Sequence, residues 1–149
     1  MELELHHTSH EILTKVDKYG RRNGFLCFSG DVYIMTGSKT VYVHTIEIDK
    51  SEIIEASSLF YHEDAAKLDS IVLEVMSLAD CDEDTAIAIL RQKECDVPSA
   101  ELVWELEGYT CACALALGYR GVSFQDEQGC CWMINMSGFE SDMSVRLLD

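Results

Sequence analysis

Two hydrophobic periods share this chain, and the points where one replaces the other constrain its fold more than any other feature. Alternation comes first. Glu2 to His6 reads as a short strand with Leu3 and Leu5 on one face. Thr8 and Ser9 offer hydroxyl caps to a short helix near Glu11–Lys18 that turns Ile12, Leu13 and Val16 inward. A two-glycine loop, Tyr19 to Gly24, leads into an extended run at Phe25–Phe28. A clearer strand at Thr40–Ile48 carries the β-branched Val41, Val43 and Thr45. The period then changes to that of a helix. Ala65, Leu68, Ile71, Val72, Val75 and Met76 predict an amphipathic helix over 61–78. Asp82 or Asp84 caps a second one, with Ala86, Ile87, Ile89 and Leu90 as its stripe. A third runs from Ser99 to Gly118. Alternation returns at Gly121–Asp126, at Cys130–Ile134 beyond a Glu127-Gln128-Gly129 turn, and at Met143–Leu148. Strands, a helical block, then strands: that order predicts an α+β domain, helices segregated from a mostly antiparallel sheet.

The length agrees with one unit. A chain of 149 residues buries roughly 70% of its unfolded surface. With 48% hydrophobic residues it can build a core without disulfide or metal. One proline, no repeat and no low-complexity stretch leave no linker, so residues 1–149 are expected to form a single domain. The seven cysteines are odd in number and include Cys111-x-Cys113 and the vicinal Cys130-Cys131. That is not a secreted disulfide framework, and without two Cys-x-x-Cys pairs no structural zinc is expected. Largely buried thiols in a reducing cytosol are the expectation. The start, Met-Glu-Leu-Glu-Leu, has neither a basic region nor a long apolar run, so neither a signal peptide nor a membrane span is expected.

Charge narrows the partners. The net charge is −16, and residues Glu47 to Glu107 hold 17 acidic against 4 basic side chains. Lys15, Lys18, Arg21 and Arg22 form the one basic cluster. Such a field repels nucleic acid and speeds encounter with a basic protein surface.

Three segments carry groups suited to chemistry. Leu5-His6-His7-Thr8-Ser9 ends a strand in imidazoles and hydroxyls. Gly24-Phe25-Leu26-Cys27-Phe28-Ser29 is a glycine-led apolar run. Gln125-Asp126-Glu127 places carboxylates where an apolar strand meets a turn. Their order, together with Leu117-Gly118-Tyr119-Arg120-Gly121-Val122, resembles the ADP-ribosyltransferase fold. More narrowly it is similar to the phage-encoded anti-CRISPR mono-ADP-ribosyltransferases that inhibit type I-F CRISPR complexes. That narrower likeness rests on Met1–Ser9, Gly24–Leu26, and Asp82-Glu83 with Ala86, Ala88 and Ile89. Trp104-Glu105-Leu106, and Asp126-Glu127 with Gly129 and Trp132, complete it.

The resemblance implies an ADP-ribosyltransferase-like split antiparallel sheet with a helical block between its N- and C-terminal strands. It implies NAD as substrate and no metal. His7 would contact the adenosine side, backbone near Thr8 would hold the carboxamide, and Ser9 would follow; Thr8 stands where such proteins usually have glycine. Gly24, Phe25, Leu26, Phe28 and Ser29 would line the nicotinamide end, the two phenylalanines as its walls. The acid at the nicotinamide ribose would be Asp126 by family register, or Glu127 by strand alternation. The acceptor would be an Asn or Arg side chain on a nucleic-acid-binding protein of the host cytoplasm, a CRISPR surveillance-complex subunit. Two rival readings stand beside this one. The first is a stoichiometric acidic inhibitor that mimics DNA; the second is a transferase fold that binds NAD without turnover.

Overall fold

Strands buried on both faces form the centre of the molecule. The structure, a computed structural model, describes residues 2–9, 24–30, 41–93, 100–126 and 129–148. Its strands are β1 (Glu2–Ser9), β2 (Phe25–Phe28), β3 (Val41–Asp49), β4 (Ile53–Glu55), β5 (Gly121–Asp126), β6 (Gly129–Asn135) and β7 (Ser144–Leu148). They form two sheets, β1-β3-β7 and β2-β6-β5-β4. The expected helix at 11–18, His10, Cys95, the Ser99 cap and Glu127 lie outside the described residues.

The unbroken apolar runs of β2 and β6 follow from their position between two cores. Phe25 and Cys27 on β2, with Cys131 and Met133 on β6, face a core built against the helices. Leu26, Phe28, Trp132 and Ile134 face the opposite way. They meet Leu5, Ile46 and Ile48 of the other sheet in a second core. A strand covered on both sides needs apolar residues at both parities.

The helical block is α1 (Asp69–Ala79), α2 (Glu83–Leu90) and α3 (Ala100–Ala116). The helix expected over 61–78 begins only at Asp69, after two 3-10 turns at Ala56–Tyr61 and Ala65–Leu68. Leu68, Val72 and Val75 keep the predicted inward face. Asp82, rather than Asp84, caps α2: its Oδ1 accepts from the Thr85 amide at 2.8 Å. Glu83 and Asp84 then sit in the first turn, where the helix dipole favours them. Gly118 ends α3 at φ +87. The Gly118 and Tyr119 amides donate back to the Leu115 and Ala114 carbonyls, a paired closure that requires a left-handed residue there. Thr110, fully buried on α3, donates to the Leu90 carbonyl at 2.9 Å and accepts from Gln92 Nε2 at 3.0 Å. It thereby ties α3 to the end of α2.

One element was not expected. The three-residue β4 follows Glu52, ends at Glu55 and pairs parallel with β5, in an otherwise antiparallel set of ladders. A parallel pair needs a long crossover, and here the helical block is that crossover. No described helix is long and apolar enough to cross a membrane.

Candidate functional site: the split between the two sheets

The two sheets meet at β1 and β2 through a single bridge. His6 and Ser29 exchange backbone hydrogen bonds of 2.9 Å in both directions, and no further β1–β2 pairing exists among the described residues. One residue beyond, the His7 ring fills the gap. Its Nδ1 lies 2.7 Å from the Cys27 carbonyl oxygen. A carbonyl only accepts, so Nδ1 carries the hydrogen and donates; in the neutral ring Nε2 then carries the lone pair. Phe28 supports the ring with centroids 5.8 Å apart, and His44 meets it edge-on at 6.1 Å.

His44 stands opposite His7 in the β1–β3 register and is fully buried. Its Nδ1 donates to the His7 carbonyl at 3.3 Å. Burial lowers its pKa from the usual 6.5, and the hydrogen bond to His7 offsets this only in part. The ring beside His7 is therefore a neutral imidazole at pH 7. His44 is thus a core strand residue rather than a surface or loop one. Tyr42, His44, Ile46 and Ile48 share one strand parity, and that parity faces the second core.

Other residues anticipated here take several positions. Thr8 and Ser9 are half-buried and pair with Val43 and Tyr42. Ser29 is buried beside the bridge. Gly24 holds φ +85, a conformation that favours glycine, and its carbonyl accepts from the Met136 amide. Leu26 is half-buried on the face that carries Phe28. The expectation that Phe25 and Phe28 wall one pocket is corrected. They stand three apart on a strand and point to opposite faces, one into each core. Both are buried: Phe28 supports His7, and Phe25 belongs to the helical core. The half-buried aromatic beside Phe28 is Trp132, its register partner. The Trp132 ring also lies 3.7 Å from where a side chain on Gly30 would begin.

The acidic end lies across the sheet. Phe28 pairs with Trp132 and Trp132 with Ser123, so Ser123 on β5 stands level with the bridge region. The ladder remains regular to its last pair, Asp126 with Gly129. Asp126 thus sits three residues further along, about 10 Å of strand. His7 is on β1 of the three-stranded sheet and Asp126 on β5 of the four-stranded one. Between β5 and the end of α2 lies a cleft of about 290 Å³. Arg91, Gln92, Lys93, Ser123, Phe124, Gln125 and Cys130 line it, along with Glu55 and Ser57. Arg91 is held there by the Ser57 carbonyl at 3.1 Å and lies 5.0 Å over the Tyr61 ring. His7 is not part of this cleft.

His6 and His62 both have hydrogen-bond partners. His6 Nδ1 bonds Thr45 Oγ1 at 2.9 Å, and His62 accepts from the Asp64 amide. Among the described thiols Cys113 is buried in the helical core, and burial pushes its pKa up to about 12. It is not a nucleophile at neutral pH.

Compared as a whole, the chain superposes on a solved structure described as the crystal structure of an anti-CRISPR protein. The TM-score is 0.60 and the identity 22%, over 99% of this chain and 96% of that one. At that identity the likeness is one of fold. No protein-family model matches the chain, and no curated protein sequence matches it.

Proposed function

We propose that this chain is an NAD-dependent mono-ADP-ribosyltransferase that inhibits a CRISPR complex by modifying an Asn or Arg side chain on its nucleic-acid-binding surface. The seat of His7 carries the reading. It is a ring held by the Cys27 carbonyl and by Phe28 at the described bridge between the two sheets, a position from which an imidazole can orient a ribose. The fold shared with an anti-CRISPR protein supports it over the full length of both chains.

In this reading, loss of nicotinamide from NAD leaves positive charge on the ribose. A carboxylate bound to the 2′-hydroxyl holds the substrate more tightly as that charge grows, which is catalysis by differential binding. Asp126, at the end of the regular β5 ladder, is the first candidate for that carboxylate and Glu127 the second. His7 orients the adenosine ribose, and the backbone near Thr8, which follows it on the same strand before Ser9, holds the carboxamide. Trp132, rather than Phe25, supplies aromatic surface on the Phe28 side. Attached ADP-ribose adds two phosphate charges and bulk where DNA phosphates would dock. Sub-stoichiometric protein should transfer label from NAD to the target, and Asp126→Ala should abolish transfer. Full transfer by that variant together with Glu127→Ala would overturn the reading.

The acid-rich middle favours one alternative, direct occupation of a basic groove. Glu74, Asp82, Glu83, Asp84 and Glu105 are all exposed on the helical block. Such an inhibitor works without NAD and only in proportion to its amount, so the same titration separates the two.

A further inference from the structure

The sulfurs of Cys27 on β2 and Cys131 on β6 lie 2.7 Å apart. A disulfide needs them about 2.05 Å apart, so closure asks for a movement of only ~0.7 Å. The register explains the approach. Cys27 stands opposite Met133, two residues from Cys131 on the same face of β6. Cys131 is 6% exposed and is held between β2 and its β5 partner Phe124. Its Sγ also touches Met133 Sδ at 3.8 Å. Cys27 is only half-buried, on the strand edge next to the β1–β2 split. The remaining described thiols are placed differently. Cys111 and Cys113 are sealed in the helical core, Cys81 follows α1, and Cys130 lines the cleft on the other side of its strand.

We infer that Cys27 and Cys131 form an oxidisable pair, a modification site that hydrogen peroxide converts into an intramolecular disulfide. The more accessible Cys27 attacks as the thiolate. Its sulfur takes one peroxide oxygen as the O–O bond breaks, giving a sulfenic acid and, after protonation, water. The Cys131 thiolate then attacks Cys27 Sγ, forming the S–S bond and expelling hydroxide, which takes a proton to become a second water. Two thiols and one peroxide thus give one disulfide and two waters. The link joins residues 104 apart in sequence. Cross-links over long loops restrict the unfolded chain most, so the oxidised protein is the more stable form. It also braces the strand whose Cys27 carbonyl holds His7.

The test treats the wild-type chain with hydrogen peroxide, digests it without reductant and maps the linked peptides by mass spectrometry. The expected product joins the Cys27 and Cys131 segments, is lighter by two hydrogens, and is reversed by dithiothreitol. Melting temperature should rise by roughly 5–10 °C on oxidation, and this rise should vanish in Cys27→Ser. A sulfinic acid on Cys27 with Cys131 unlinked, or a link from Cys27 to Cys130 instead, overturns the inference. The wild-type map decides the matter even if a serine variant folds poorly.

Discussion

Lowering pH should destabilise the fold through His44, and a single substitution isolates the effect. His44 is fully buried and its pKa is lowered by that burial, while in the unfolded chain it titrates at its usual 6.5. Below 6.5 the unfolded state binds the extra proton, so stability is complete above that value and falls as pH drops towards the folded pKa. With the folded ring still neutral, the loss between about pH 7.5 and about pH 5.5 is bounded at about 1.4 kcal/mol, one full proton over one unit below 6.5. For a chain of this size that is about 3–5 °C in Tm. Its described neighbours include the His7 ring and its β7 partner Val145. The many exposed carboxylates also change charge over this range, which makes the comparison with His44→Gln essential. That variant keeps a donor for the His7 carbonyl but takes up no proton. Urea unfolding of both proteins at the two pH values and constant ionic strength should show wild type losing up to about 1.4 kcal/mol more than the variant. Equal losses would refute the buried, neutral His44.

Three other outcomes follow from the packing and charge. Gly121→Ala should cost about 1–3 kcal/mol by urea unfolding, because its new Cβ would stand 2.5 Å from Ile134 Cδ1 and 3.2 Å from the Met133 carbonyl oxygen, with Ile134 fully buried. Thr110→Val keeps the shape but strips the hydroxyl between Leu90 and Gln92, and should cost about 1–3 kcal/mol in the same assay. The rate at which the chain inhibits or modifies a basic target should fall steeply as salt rises, since exposed acidic groups set its field. A rate indifferent to salt would remove the acidic middle from recognition.

The secondary elements were legible where one face or one stripe decides the pattern. Val72 and Val75, the Asp82 cap region and the Gly118 stop all reported correctly on α1 to α3, because helix period and end signals are local. β4 escaped because a three-residue strand has no period to read; its pairing with β5 is set by a partner 68 residues away at Ile54–Val122. The split of the strands into two sheets escaped in detail for a related reason. The runs at Phe25–Phe28 and Cys130–Ile134 signal burial on both faces but not what covers each. At the site, His7 was singled out and the structure gives it a fixed seat. His44 and Trp132 were overlooked as its neighbours, since only the register reveals them. The parity of His44 with Ile46 and Ile48 was the one available clue.

In the proposed function, chemistry on NAD needs both His7 and a carboxylate from Asp126 or Glu127. The direct measurement is transfer of labelled ADP-ribose from NAD to the target, by wild type, His7→Ala and Asp126→Ala, each shown to be folded by its thermal unfolding. The expected result is turnover well above one label per wild-type chain, little or none from either variant, and inhibition by neither variant. Inhibition that is stoichiometric, indifferent to NAD and unchanged in both variants would contradict it.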